Sequence, residues 1–334
     1  MLEVIATMAN LVFKDHPHNW RTGRDFPHVP LTLVSWDSAP AITVAYVFFG
    51  HVNIDYDGSP TAYGPHGIKP QPDDDLTNAG DAGQGWYGVY ALPETDELVK
   101  NKTVKIDKTA PKYLGKYPVV QQEKNGDPNP GYYVSSTPRN SGLPYLQDSY
   151  IDASEVAWGA LDKALRALGV SLGDYGLAIR HDSNLQSGFY FVDSGGYNHA
   201  LGECSHKVGK NLGGSGRASH FDNNYPVSFI VFPRSFDTDP DAPPSLSDDD
   251  IEARLRPLIR SLSQADNFDD LPLLMGFNET APKTKPQGTS KLTAYKKTPS
   301  KPRPANYDTV VQGLRAFGWA PPHPAPTYNM SIPG

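Results

Sequence analysis

Two stretches of the chain deliver carboxylates in patterns suited to acid/base chemistry. The first runs His51-Val-Asn-Ile-Asp55-Tyr-Asp57-Gly58-Ser-Pro-Thr-Ala-Tyr63-Gly-Pro65. Apolar residues alternate with small or polar ones up to Asp55, as in a strand that ends in two acids. Asp55 and Asp57 are two apart and share a face if the strand persists that far. An Asp-Gly turn closing a hairpin fits the same letters, and the acid spacing of an EF-hand loop is absent. The second stretch is Tyr190-Phe-Val-Asp193-Ser-Gly-Gly-Tyr197-Asn-His199-Ala-Leu-Gly202-Glu203-Cys204-Ser205. An apolar strand ends at Asp193, a Gly-rich turn follows, and Glu203 opens the return. Two carboxylates across such a connection can face one cleft. Glycosidic cleavage requires such a pair: one acid protonates the leaving oxygen, and one carboxylate activates water or attacks directly. Spacing leaves the mechanism open. A tight hairpin sets Cβ atoms about 5 Å apart, whereas inverting enzymes hold carboxyls roughly 6.5–9.5 Å apart. The Gly-Glu-Cys-Ser setting predicts partial burial of Glu203; a solvated Glu on an edge strand is the plainer alternative.

Other signals are weaker. His199, Glu203 and His206 match no standard metal spacing, Gly202 interrupts any helix between them, and surface or core histidines are the expectation. The run Gly209-Lys210-Asn-Leu-Gly-Gly-Ser-Gly216 lacks the terminal Gly-Lys-Ser/Thr of a phosphate loop and reads as a flexible turn. Ser135 and Ser136 have no nucleophile elbow around them. Trp86, Tyr87, Tyr132 and Tyr133 could stack on sugar faces, although aromatic strand residues more often sit in a core.

The elements that must position these groups follow from composition and period. With 30 glycines, 32 prolines and 18 tyrosines and only short apolar runs, a mainly β (α+β) chain is expected rather than a helical bundle. No apolar run approaches the roughly 20 residues of a membrane-spanning helix. One cysteine, Cys204, precludes an intramolecular disulfide. Residues 1–40 read as an arm broken by Pro17, Pro27 and Pro30, with short regular structure. Residues 41–235 read as the main domain, with strands at Ile42–Asn53, Gly85–Ala91, Gly131–Ser136, Gly176–Ile179, Gly188–Val192 and Val227–Phe232. A helix is expected over Glu155–Leu168. Residues 236–280 form an acidic helical segment, started by Ser247 with Asp248, Asp249 and Asp250 in its first turn. Ile251, Leu255, Leu258, Ile259 and Leu262 are its buried stripe. Residues 281–334 comprise a Lys/Pro-rich linker over 281–303, with seven basic residues and no acid, then a short amphipathic segment, Tyr307–Trp319. That tract lacks interleaved aromatics apart from Tyr295, so no nucleic-acid partner is expected.

The carboxylate stretches occur in an order that resembles bacterial members of glycoside hydrolase family 75, the fungal-type chitosanases. The resemblance is carried by Asn53-Ile-Asp55-Tyr-Asp57-Gly58, Tyr63-Gly-Pro65, Leu76-Thr-Asn78-Ala79-Gly80 and Gly131-Tyr132-Tyr133-Val134-Ser135. Phe191-Val-Asp193-Ser-Gly, Gly202-Glu203-Cys-Ser205 and Val231-Phe232-Pro233 complete it, so that it spans Ala45 to Ser235. It implies a double-psi β-barrel-like core and an inverting endo-hydrolase of β-1,4-linked glucosamine. The catalytic pair falls on Asp193 and Glu203, with neither cofactor nor metal. Asp55 and Asp57 would line the cleft and pair with glucosamine ammonium groups; Tyr63, Tyr132, Tyr133 and Tyr197 are further substrate-binding candidates. Peptidoglycan cleavage, by a muramidase or a lytic transglycosylase using Asp193 alone, is the rival, and a non-catalytic carbohydrate-binding protein is another. The chain departs from the family in showing no recognisable signal peptide, which fits a cytoplasmic protein or signal-independent export. It departs again in its Ala-Trp-Gly-Ala-Leu segment, where the family runs a Pro-initiated strand, and in the acidic helix and basic tail.

Overall fold

The computed structural model describes residues 10–21, 28–50, 52–180, 183, 185–195, 201–214, 227–236 and 246–262. The chain is mainly β, built on a large mixed sheet with few helices. In chain order the strands are β1 (Leu11–Arg21), β2 (His28–Trp36), β3 (Ala39–Gly50), β4 (Asn53–Asp55), β5 (Gly80–Asp81), β6 (Gly85–Trp86), β7 (Ala91–Leu92), β8 (Lys105–Ile106), β9 (Tyr117–Val120), β10 (Trp158–Ala160), β11 (Tyr175–Arg180), β12 (Gln186–Asp193), β13 (Glu203–Ser205) and β14 (Val227–Phe232). The helices are α1 (Glu97–Lys100), α2 (Lys163–Ala167), α3 (His206–Asn211) and α4 (Asp248–Leu262).

Nine strands form the main sheet in the order β1-β2-β3-β14-β11-β12-β10-β13-β4. Pairing is antiparallel except for the parallel pairs β10–β12 and β13–β4. Its middle is covered on both faces, so β11 and β14 are buried along their whole length and read as continuous runs rather than alternating ones. Phe189 of β12 fills the space that two glycines leave on the flanking strands. A Cβ on Gly176 would stand 2.3 Å from its ring, and one on Gly159 would stand 3.0 Å away. One face is covered by α4, whose Ile251 and Leu255 lie against Gly188. Ser247 caps that helix as expected: its Oγ accepts from the Asp250 N–H while the Asp250 carboxylate accepts from Ser247. Ile251, Leu255, Ile259 and Leu262 are buried, and Leu258 is partly so. A smaller core of Leu92, Val104, Ile106, Val119, Val134 and Tyr150 lies around the sheet β7-β9-β8.

Several elements differ from expectation for identifiable reasons. The arm is not short in structure: β1 and β2 span 11 and 9 residues and extend the main sheet through β3. Pro17 is tolerated because the β1–β2 register shifts between Asp15 and Asn19, where no ladder bond is required of it. The helix expected over Glu155–Leu168 is reduced to α2. Trp158–Ala160 instead forms β10, because it finds partners on β12 and β13, and Asp162 then caps α2 by accepting from the Ala164 N–H at 2.6 Å. Gly131–Ser136 forms isolated bridges and no strand, since the Ser135 N–H donates to the Gln147 side chain at 2.8 Å instead of to a neighbouring strand. Gly85–Ala91 divides into β6 and the start of β7, which pair with different partners. Gly209 and Lys210 lie inside α3 rather than in a turn. The tract 281–303 and the segment Tyr307–Trp319 lie outside the described residues. No described helix is long and apolar enough to cross a membrane.

The seam between β10 and β13 holds the carboxylate strands together, yet it has a single register pair, Gly159 with Cys204. Ser205 supplements it. Its fully buried hydroxyl accepts from the Trp158 N–H at 3.0 Å and donates to the Val156 carbonyl at 2.8 Å. Ser205→Ala would leave these backbone groups without partners. We expect a loss of about 1–3 kcal/mol in unfolding free energy, read from urea denaturation; an unchanged midpoint would show that the seam does not depend on this hydroxyl.

Candidate active site

Asp55 ends β4, but the strand does not continue to Asp57. The Asp57 N–H donates to Asp55 Oδ1 at 2.8 Å, an Asx turn that reverses the chain. The two carboxylates therefore approach through a turn and not through strand period. Gly58 completes the turn at φ +85°, where a Cβ would stand 2.1 Å from the Ile151 carbonyl oxygen, so only glycine fits. A buried amide fixes this turn: Gln147 Nε2 donates to the Gly58 carbonyl at 2.8 Å and its Oε1 accepts from the Ser135 N–H at 2.8 Å. Ser135 Oγ accepts from the Gly58 N–H at 2.9 Å, so this serine holds the loop and is not a nucleophile.

Asp193 ends β12, where its carbonyl accepts from the Leu161 N–H at 2.7 Å and its Oδ1 from the Ser194 N–H at 2.5 Å. Between β12 and β4 lie β10 and β13. In a flat sheet those three inter-strand steps would hold the outer two about 14 Å apart. Carboxylate oxygens of Asp55, Asp57 and Asp193 nevertheless lie within 4.8 Å of one another. The sheet must curl here to bring its edge back toward β12. Asp57 and Asp193 are buried, at 8% and 7% exposure, and Asp55 is half-buried.

Three acids in so small a buried volume cannot all be ionised at ordinary cost. Asp55 is held well above the usual carboxyl range by burial first, then by the negative charges of Asp57, Glu203 and Asp193. Asp57 is raised by burial and by Asp193, against the opposing hydrogen bond from Tyr63. Tyr63 donates to Asp57 Oδ1 at 2.6 Å, and its own hydroxyl is pushed up by burial and by Asp57, so it remains a donor. Burial and mutual repulsion thus shift Asp55 and Asp57 toward the protonated form, and their titrations are linked. Gly88 closes the group from another side: a Cβ there would stand 2.5 Å from Asp57 Oδ1. Carboxylate oxygens are also the donors that hard divalent cations take, and among the described residues these three lie close enough together to hold such an ion.

Glu203 opens β13, half-buried, opposite Asn53 of β4. Its charge reaches Asp55 and Asp57, yet it stands outside the 4.8 Å group. Cys204 is buried and its thiol is raised by that burial and by Glu203, which leaves it unreactive. Of the four acids singled out in the sequence, Asp55, Asp57 and Asp193 come together, and Glu203 is near enough for its charge to reach Asp55 and Asp57. The tyrosines divide. Tyr63 belongs to the site but is fully buried, as a hydrogen-bond donor and not a sugar platform. Tyr132 and Tyr133 are also buried, with hydroxyls donating to the Pro70 carbonyl and to Asp107. Tyr197 and His199 lie outside the described residues. His206 is buried beside Tyr56, ring centroids 4.7 Å apart, as a core histidine. Asp74, whose charge reaches Asp57 and Tyr63, lies in the Asp73–Asp75 run. Gly88 and Gln147 were not foreseeable, because no local pattern ties them to Asp57. No protein-family model matches the chain, and no curated protein matches it.

A carboxyl raised in the folded state binds its proton more tightly there than in the unfolded chain. Its stabilising effect is therefore present below the ordinary value of 3.8 and is lost as pH rises through the raised folded value. Asp57→Asn keeps an acceptor for Tyr63 but removes this titration. We expect the variant to gain stability relative to the parent as pH rises above 4; parallel urea midpoints across that range would contradict the assignment.

Proposed function

We propose that the chain is a glycoside hydrolase that cleaves a β-1,4-linked amino-sugar polysaccharide of the chitosan type, with inversion. The observation that carries this reading is the placement of Glu203 beside the group of Asp55, Asp57 and Asp193, but outside it. One oxygen from each of Asp55, Asp57 and Asp193 lies within 4.8 Å of the others, which leaves little room for a sugar between them, since retaining enzymes hold their carboxyls about 5–5.5 Å apart and inverting ones further. Glu203, whose charge reaches Asp55 and Asp57 from outside that group, is taken as the second member of the pair. In this reading Glu203 protonates the leaving oxygen and Asp193 positions the attacking water. Asp55 and Asp57, shifted toward the protonated form by burial and neighbouring charge, limit the negative charge around Asp193 and line the cleft. The curl of the sheet and its two parallel pairs support a double-psi β-barrel-like core. The resemblance to family 75 supports the substrate class.

Incubation with chitosan and with peptidoglycan sacculi, followed by mass spectrometry, tests the reading. We expect glucosamine oligomers with reducing ends. Glu203→Gln and Asp193→Asn should each slow cleavage by about 10²–10⁴, and a chelator should leave the rate unchanged. Full activity of both variants on both polymers ends the proposal. Anhydro-sugar ends would reassign the chain as a lytic transglycosylase, and sugar binding with no product as a carbohydrate-binding protein.

A further inference from the structure

Residues 100–116 carry six lysines and one acid, Asp107, in a chain whose net charge is −7. All six lysines are exposed. Lys100 and Lys108 are paired with Glu97 and Glu94, and the Asp107 carboxylate accepts from the hydroxyls of Tyr133 and Thr109. Asp81, which faces Gly85 across β5–β6, spends its carboxylate on the Gly83 and Gln84 N–H groups. Among the described residues, Lys112 and Lys116 pair with no carboxylate. These two flank the turn between β8 and β9.

The apex of that turn is built against residue preference. The Tyr113 and Lys116 N–H groups each donate to the other's carbonyl, at 3.1 and 3.0 Å, closing a hairpin over Leu114 and Gly115. Both central residues have positive φ, 45° and 82°, a geometry in which Asn-Gly or Asp-Gly is usual. Leucine is disfavoured there by crowding of its Cβ against the backbone. Burial returns little, since Leu114 is 65% exposed. The turn is nevertheless fixed: Tyr113 stacks on Trp86 at 4.3 Å, and Trp86 Nε1–H donates to the Lys116 carbonyl at 3.1 Å. Strain held at an exposed apolar residue points to a use outside the fold.

A soluble polyanion would be met by the lysines alone and gives an apical leucine nothing to enter. A bilayer surface offers both layers, phosphates for the cations and an acyl boundary for the apolar tip. We propose that Lys112, Leu114 and Lys116 dock this chain on a bilayer surface rich in anionic headgroups, with Leu114 entering the headgroup–acyl boundary. The attachment is peripheral and does not depend on the glycosidase reading of the acid group.

Cys204 is buried and its thiol is raised, so a polarity-sensitive fluorophore on the Leu114→Cys chain labels the tip alone. We expect its emission to shift to the blue with vesicles of equal parts phosphatidylcholine and phosphatidylglycerol, and not with phosphatidylcholine alone. In sedimentation with the mixed vesicles, the unlabelled parent should bind about tenfold more tightly than Leu114→Asn, a change that suits the turn. Lys112→Gln and Lys116→Gln should each weaken binding roughly fivefold. The basic tract 281–303 is common to all these chains, so its contribution cancels from the comparison. No blue shift on the mixed vesicles, or Leu114→Asn binding them as well as the parent, overturns the proposal. Binding that falls with both lysine variants but not with Leu114→Asn overturns it too, and assigns the face to a soluble polyanion.

Discussion

The structure is organised around the cost of holding Asp55, Asp57 and Asp193 together away from water. Like charges at that separation repel, and burial adds the loss of hydration, so the group is tenable only if it retains protons or is supplied with donors. Both are present. The Asp57 N–H serves Asp55, the Tyr63 hydroxyl serves Asp57, and the Ser194 N–H serves Asp193. Space is part of the same constraint. Gly88 and Gly58 stand where any side chain would collide with the Asp57 carboxylate or with the Ile151 carbonyl.

The strands that carry the acids are joined by few ladder bonds. β10 and β13 share a single register pair, and the Ser205 hydroxyl bridges the gap. The Asx turn after β4 leaves the Gly58 peptide without strand partners, and Gln147 and Ser135 supply both of them. Gln147 is itself held by the Asp127 carboxylate, which accepts from its N–H at 3.0 Å. A chain of buried polar contacts thus runs from Asp127 to Asp57, each member satisfied by the next. Such networks rigidify a site when complete.

Legibility in the sequence depended on whether the deciding partner was local. α4 was readable because its cap, its acidic first turn and its apolar stripe all lie within sixteen residues of one another, 247–262. The buried strands β11, β12 and β14 were readable as apolar runs. Asp193 stands out because it ends such a run, and Glu203 because it follows the Gly-rich turn after it. Trp158–Ala160 was misread because Val156, Leu161 and Leu165 keep helical spacing, while the actual partners, Phe191 and Cys204, are more than thirty residues away. Tyrosine shows the limit most clearly. Tyr63, Tyr132 and Tyr87 all sit in strand-like stretches beside glycine, yet the first two are buried donors and the third is exposed. Nothing in their flanking residues separates these outcomes, because each is decided by distant contacts such as Asp57 and Pro70.

Net charge gives a similar lesson about locality. The chain carries −7 overall, which by itself suggests affinity for a cationic polymer. Much of that charge lies in residues 236–280, where 11 acids face 3 basic residues, outside the strands that build the site. Within the site Asp55 and Asp57 are shifted toward their neutral form by burial and mutual repulsion, which weakens their pull on a distant cation, and ions screen the rest within about 8 Å.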